Sequence, residues 1–266
     1  MWIDLHIHTT FSDGTLTPDE VIATAKKSGL CAIAFTDHDS VDALDNYTDS
    51  LGLEIIPGTE LSAREEDKSV HVLGYFIDRK NEDLNGFIRT LKKARVSRGE
   101  RMVEKLNDFG IDITMDEVRE NVTGEILGRP HIARVLLNKG VVNNLQEAFS
   151  IYIGNDKPCY VPKPNIGVSQ VVKVIKKAGG IPVLAHPIYL GNDRLIFKFI
   201  DEGIEGLEVW YPAHGESDIE RYLKIAREKN LIVTGGSDSH GNLGSYTRIG
   251  DFKVDYKVLV KMKLRS

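Results

Sequence analysis

Short runs rich in β-branched, aliphatic and aromatic residues recur at 2–8, 31–36, 53–57, 70–76, 181–185, 206–210 and 231–235, and most are separated by amphipathic stretches of helical length. This alternation implies parallel strands joined by helical crossovers, an α/β architecture. Thr17-Pro18-Asp19-Glu20 marks a helix start, with Thr17 as N-cap, Pro18 in the first turn and Glu20 three residues on, and Gly29 stops that helix. Between about 80 and 160 the strand signals cease and helical segments follow at 82–109, 130–139 and 144–152. The pattern predicts an α/β barrel formed by residues 1–80 and 160–266, with residues 81–159 inserted as a helical subdomain.

The 266 residues suit one large barrel, and 41% hydrophobic with 27% charged residues is ordinary globular usage, which excludes disordered and fibrous classes. No apolar run approaches the ~20 residues needed to cross a bilayer, so no membrane association is expected. The first residues, Met1 to His6, already read as a strand and lack the basic and apolar regions of a secretory signal. Cys31 and Cys159 are too few for a disulfide framework, so a cytoplasmic location is expected. No obligate protein partner is expected. The 34 basic and 39 acidic residues leave a net charge of −5, so an anionic substrate needs a local positive source.

Asp4, His6 and His8 alternate along the first predicted strand, and alternation turns side chains toward one face. Chance alone supplies roughly 0.24 His-x-His pairs at this composition, so support must come from elsewhere. It does. Asp13 stands in Ser12-Asp13-Gly14, His38 in Thr36-Asp37-His38-Asp39, and Glu60 after Gly58-Thr59. His71 lies in Val70-His71-Val72, His186 in Ala185-His186-Pro187, and Asp238 and His240 share Gly236-Ser237-Asp238-Ser239-His240. In a parallel barrel the C-terminal strand ends converge on one mouth, so ligands scattered over six strands become neighbours. An isolated strand-end histidine is usually structural and Asp before Gly is usually a turn former, but all of these positions together point to a metal cluster. Histidine and carboxylate ligands without thiolate favour Zn, Mn or Fe, and Glu60 can bridge two ions through its two oxygens.

Asp4-Leu5-His6-Ile7-His8, Ser12-Asp13-Gly14, Thr36-Asp37-His38-Asp39, Gly58-Thr59-Glu60, Ala185-His186-Pro187 and Ser237-Asp238-Ser239-His240 together resemble the PHP (polymerase and histidinol phosphatase) family, nearly end to end. Gly128-Arg129-Pro130-His131-Ile132-Ala133-Arg134 and Pro158-Cys159-Tyr160-Val161-Pro162-Lys163 resemble the branch of nucleotide 3′,5′-bisphosphate phosphatases and 5′-to-3′ exoribonucleases. The resemblance implies a distorted seven-stranded, TIM-like β/α barrel carrying two or three divalent metal ions. It implies His6, His8, Glu60 and Asp238 around one ion, Glu60, His71 and His186 around a second, and Asp13, His38 and His240 around a third. Asp4, Asp37 and Asp39 are then placed to orient the ligand imidazoles.

Phosphate esters hydrolyse so slowly that a site must supply a strong nucleophile and neutralise an anionic phosphoryl group. Divalent ions do both, lowering the pKa of bound water from ~15.7 to ~7 so that hydroxide attacks at neutral pH. Asp13 and Glu60 are the expected catalytic carboxylates. Arg129, just before Pro130 and a helix start, is expected to bind phosphate, with His131 beside it. His214 in Tyr211-Pro212-Ala213-His214 is a candidate substrate contact. Taking about 100° per residue from Ile88, Leu106 falls at about 0°, Met102 at about −40° and Leu91 at about −60°, while Arg95 falls at about −20° within the apolar stripe and Arg98 at about −80° on its edge. A cation on a buried face needs a partner, and both arginines are expected to face a second phosphate. The outward basic residues of this helix have no aromatic stacking platform beside them in the sequence.

The expected substrate is a phosphorylated small molecule, a nucleotide such as a 3′,5′-bisphosphonucleotide, or a short RNA end. Histidinol phosphate or another small phosphomonoester is the alternative of the same chemistry, and a non-catalytic metal-binding or polymerase-associated module is the alternative of another class. An amidohydrolase would place a lysine at a strand end to bridge its metals, and no lysine here occupies such a motif. Gly-x-Ser-x-Gly, P-loop and Gly-x-Gly-x-x-Gly signatures are absent.

Overall fold

The computed structural model of the chain describes all residues except 123–125, 242–246 and 266. β1 (Trp2–Ile7) leads through a loop to α1 (Pro18–Lys27), where Thr17 and Glu20 form the reciprocal cap expected of their spacing. β2 (Leu30–Phe35) follows, and then β3 (Glu54–Glu65) and β4 (Lys68–Tyr75). α2 (Glu82–Asp108), α3 (Met115–Glu120), α4 (Arg129–Asn138) and α5 (Leu145–Ala148) form the helical stretch, α5 running on into a single wide turn, Phe149–Ile153. Alternation then resumes with α6 (Val168–Lys177), β5 (Ile181–Leu184), α7 (Arg194–Asp201), β6 (Gly206–Trp210), α8 (Glu216–Glu228), β7 (Ile232–Gly235), β8 (Val254–Asp255) and α9 (Lys257–Lys263).

Among the described residues the strands form one sheet in the order β7-β6-β5-β4-β3-β2-β1-β8. It curls toward closure where β1 meets the segment after β7: Ile7 bridges Ser239, and the His8 N–H donates to the Ser239 carbonyl at 3.0 Å. Gly236 permits this approach, since a Cβ there would lie 2.4 Å from the His6 nitrogen. The fold is thus a distorted α/β barrel, with two differences from the sequence reading. The first is an eighth, two-residue strand, β8, antiparallel to β1. The second is β4, which runs antiparallel to both β3 and β5. Only Glu66 and Asp67 separate β3 from β4, both at positive φ (46° and 63°), so the chain reverses in a tight hairpin that leaves no room for a crossover helix. The hairpin lengthens the run read as 53–57 into a strand reaching Glu65.

The apolar residues divide into three bodies. One lies between strands and surrounding helices, joining Ile33 and Phe35 to Val21, Val171, Phe199 and Tyr222. The second consists of strand residues such as Leu5, Ala34, Leu73 and Val183 with Val258, Leu259 and Met262 of α9, so α9 plugs the barrel at the end where β1 begins. The third is built by α2 to α5 and the chain that follows, from Met102 to Val161. α2 spans two bodies: Leu84, Ile88 and Leu91 pack on the barrel, and Met102, Val103 and Leu106 join the core of the helices that follow.

Candidate metal centre

The end of the barrel opposite α9 gathers the histidines and carboxylates. His6 and His8 leave the end of β1, His38 follows β2, His186 follows β5, and Asp238 and His240 follow β7. Glu60 and His71 reach the mouth from within strands. β3 continues past the mouth, and the antiparallel β4 presents its early residues there, with Ser62 opposite His71. Glu60 is fully buried at the middle: its Oε2 faces His6 Nε2 at 3.3 Å, His8 Nε2 at 3.2 Å and His38 Nδ1 at 2.9 Å. Its Oε1 faces His71 Nδ1 at 2.8 Å and His186 Nε2 at 3.0 Å. Asp238 Oδ1 lies 3.3 Å from His6 Nε2 and 3.0 Å from His8 Nε2, and Asp13 Oδ1 lies 3.3 Å from His240 Nε2.

Three sets of donor atoms each lie within 4.8 Å of one another: His6, His8, Glu60 and Asp238; His38, Glu60 and His71; His8, Asp13, His38 and His240. His6 Nε2, His8 Nε2, Asp13 Oδ1, His38 Nδ1 and Glu60 Oε2 are buried without a hydrogen-bond partner. Buried polar atoms are normally satisfied, so this cluster of orphaned N and O donors fits divalent cations that accept both. His38 and Glu60 each belong to two sets, and so does His8.

Electrostatics match that reading. Burial works against charge on Glu60, but His38, His71 and His6 around it hold the carboxyl well below the usual range. Asp13, buried, and Asp238, part-buried, are likewise held low, by His240 and by His6 respectively. Burial lowers His8, yet Asp238 and Glu60 prevail and raise it to about 10, and His6 is raised by Glu208 and Asp238 in the same way. His38 and His71 go the other way, lowered by burial, with the Lys163 ammonium adding to the effect at His71.

Glu208, which the sequence reading missed, orients the centre. Its Oε1 is 2.8 Å from His6 Nδ1 and its Oε2 accepts the His186 N–H at 2.7 Å. A lone carboxylate between Leu207 and Val209 in an apolar strand was the available signal. Asp4, Asp37 and Asp39 do a different job from the one expected. A register shift between Asp4 and Ile7 breaks the simple alternation of β1, and Asp4 accepts backbone N–H groups of His6 (3.2 Å) and Ser237 (2.9 Å). Asp37 accepts from Thr9 N–H, the Thr9 hydroxyl and the Ser12 hydroxyl. Asp39 accepts the Ser62 N–H at 2.7 Å and Arg95 Nε at 2.5 Å. All three hold the loops that carry the imidazoles. Asp39, His186 and Asp238 have positive φ of 48°, 27° and 51°, backbone strain held at the centre.

Beside the centre lies a cation cluster. Arg95 reaches Asp39 and donates to Ser62 Oγ at 3.1 Å. Lys163, also missed from sequence, lies 2.7 Å from His71 Nε2 and donates to Ser62 Oγ at 3.3 Å, its pKa brought to about 7 by burial and by Arg95. Arg98 is buried, donates through Nε to the Val161 carbonyl at 2.7 Å and leaves Nη2 without a partner; burial and Arg129 lower it to about 10. Arg129 opens α4 and donates to Asn155 Oδ1 at 3.1 Å, and the Tyr160 ring lies 5.6 Å from both the Arg98 and Arg129 guanidinium carbons. His131 spends Nδ1 on the Gly128 N–H at 3.0 Å, closing the start of α4. His214 is buried beside Tyr211 (ring centroids 5.2 Å apart), with its Nδ1 on the Val209 carbonyl at 2.8 Å.

A PHP domain is recognised over residues 4–154. A 5′-3′ exoribonuclease of Haemophilus influenzae is 30% identical over 245 residues, covering 89% of each chain. A 3′,5′-nucleoside bisphosphate phosphatase of Chromobacterium violaceum is 32% identical over 247 residues, 90% of this chain and 87% of its own. Among solved structures, a chain described as a metal-dependent phosphoesterase of Bifidobacterium adolescentis superimposes with a TM-score of 0.90 at 35% identity, covering 99% of this chain and 96% of the other. Sequence, fold and a mouth lined by shared histidine and carboxylate donors agree, and this chain belongs to the PHP domain family of metal-dependent phosphoesterases.

Proposed function

We propose that the enzyme hydrolyses phosphate esters of nucleotides, with a 3′,5′-bisphosphonucleotide or the phosphorylated 5′ end of a short RNA as substrate. The observation that carries this reading is the cluster of Arg95, Arg98, Arg129 and Lys163 next to the donor set, with Asp39 its one close carboxylate partner among the described contacts. A second anion site beside a phosphoryl-transfer centre suits a substrate with two phosphates. It repels histidinol phosphate, whose single phosphate is joined to a cationic body. The named activities of the Haemophilus and Chromobacterium relatives support the same reading.

Two or three Mn, Zn or Fe ions would be held by His6, His8, Glu60 and Asp238, by His38, Glu60, His71 and His186, and by His8, Asp13, His38 and His240. Such ions supply Lewis acidity, withdrawing charge from a phosphoryl oxygen and acidifying water. The protein's own part is positional. Glu60 and Asp13 hold the donors together, Glu208 fixes the His6 tautomer, and Ser62, held by Asp39 and Arg95, ties the cation cluster to the centre. Arg129 and the free Nη2 of Arg98 receive the second phosphate.

The test is phosphate release with Mn²⁺ from a 3′,5′-bisphosphonucleotide, a 5′-phosphorylated short RNA and histidinol phosphate. Release from a nucleotide substrate, abolished in Asp13→Ala and with KM raised at least tenfold in Arg129→Ala, is expected. Release from histidinol phosphate alone would overturn the nucleotide reading, and no release with any divalent ion would indicate a binding module.

A further inference from the structure

The mouth does not end at the donor set. On one side Lys163 touches His71. The His71 ring lies 5.1 Å from that of His186, and His186 in turn lies 5.4 Å from both Tyr189 and Tyr211. Contacts thus run from the cation cluster past His71 and His186 to the two tyrosines, and one groove is lined by the tyrosines and by Asn155, the partner of Arg129. Tyr189 is 58% exposed. Its short turn, Pro187–Leu190, is anchored by His186 before it and by left-handed Gly191 after it. Tyr211 stands edge-on to it with centroids 6.0 Å apart, and the two hydroxyls are 3.4 Å apart. Tyr211 is itself fixed, donating to Asp238 Oδ2 at 3.0 Å in front and packed on His214 behind. Grooves of about 500 and 400 Å³ share this pair and Asp238 as a common wall.

We propose that Tyr189, braced by Tyr211, is the platform for the base of the nucleoside on the far side of the scissile phosphorus, so that the site is built for a phosphodiester strand as well as for a bisphosphonucleotide. The inference rests on the nucleotide reading above. With a terminal 5′-phosphate in the cation cluster and the next phosphorus at the donor set, a strand must continue toward Tyr189. In the step itself, water oxygen bonds to that phosphorus and the P–O3′ bond breaks. Its electron pair goes to the 3′ oxygen, which takes a proton from the water. A nucleoside 5′-phosphate departs from the cation side, and the remaining strand keeps a 5′-phosphate on the tyrosine side. The same bond breaks in a bisphosphonucleotide, but there nothing reaches the tyrosines beyond the phosphorus. An exposed ring that accepts any base by stacking suits such a sequence-tolerant position.

The experiment compares kcat/KM for a 5′-phosphorylated dinucleotide with that for a 3′,5′-bisphosphonucleotide in the wild type, Tyr189→Ala and Tyr189→Phe. The ratio is expected to fall about tenfold to a hundredfold in Tyr189→Ala and to stay within about twofold in Tyr189→Phe, which keeps the ring. An unchanged ratio in Tyr189→Ala, or an equal loss in Tyr189→Phe, would overturn the platform. Calorimetry with a dinucleotide carrying a non-hydrolysable methylene phosphonate linkage reads the same contact without turnover. Weaker binding to Tyr189→Ala supports it, and wild-type affinity in that variant overturns it. If the wild type cleaves no nucleotide, the nucleotide reading fails in the turnover assay, while the calorimetry still decides the platform.

Discussion

Glu208 shows how much of a metal centre lies outside its donors. Its two oxygens hold the His6 ring and the His186 backbone, two residues that arrive from different strands. Glu208→Gln keeps the shape and a hydrogen-bonding oxygen but removes the charge that favours the donor tautomer. Metal affinity is expected to weaken about tenfold to a hundredfold, read by titration of metal-free protein with Mn²⁺ under conditions where the thermal unfolding midpoint shows the fold intact. Wild-type affinity in that variant would remove Glu208 from the centre. The donors were legible because imidazoles and carboxylates at strand ends stand out from apolar neighbours. Glu208, Lys163 and Tyr189 were not, since each takes its meaning from a partner far away in sequence: His6, His71 and Tyr211. The expectation for Asp4, Asp37 and Asp39 failed for a related reason. Short carboxylates find nearby backbone N–H groups and hydroxyls before they find rings.

At the scale of elements, the strands and the first capped helix could be read directly, because periodicity and capping chemistry are local. The reversal at Glu66 and Asp67 could not, since Asp67 has no glycine beside it to mark a hairpin turn and the flanking residues are polar enough to hide a strand. That reversal has a functional effect, as it brings His71 to the mouth from the early part of β4. The contact between β1 and the segment after β7 is a close junction of the barrel, and Gly236 sits in it. Gly236→Ala would place a Cβ 2.5 Å from His6 Cβ and 2.8 Å from Asp4 Oδ1. The expected cost is about 1–3 kcal/mol of stability, measured by urea unfolding. Metal affinity should weaken too, since His6 is displaced. Unchanged stability would show that β1 moves freely against β7.

For the whole molecule, the donors make stability depend on pH in two opposite senses. His38 and His71 are depressed, so below about 6.5 the unfolded chain takes up protons that the folded one refuses, and stability is lost as the pH falls. Asp13 and Glu60, also depressed, contribute stability that is present above their unfolded values and lost on further acidification. His6, His8 and His240 are raised, so their contribution is complete below about 6.5 and is lost as the pH climbs toward their folded values, about 10 for His8. Lys163, depressed to about 7, opposes them on that side, one group against three. On the acid side Asp4, raised to about 6 by burial, opposes the two histidines His38 and His71. The unfolding midpoint of metal-free protein is therefore expected to peak near pH 6.5 and to fall on both sides. A monotonic profile between pH 5 and 9 would contradict this balance. Saturating Mn²⁺ should raise the midpoint most at high pH, because the ion displaces protons from His6 and His8. Removing it with a chelator should restore the peak.

Ile7 and Ser239 meet where the barrel closes, and the donors on either side of that junction come from the beginning and the end of the sequence. A growing chain offers His6 and His8 early but Asp238 and His240 only after β7 has been made, and domains of this kind fold as units. Two of the three donor sets stay incomplete until that point. Discrimination among ions then falls to the finished barrel, and the ions that surround it at that moment set which one it first receives.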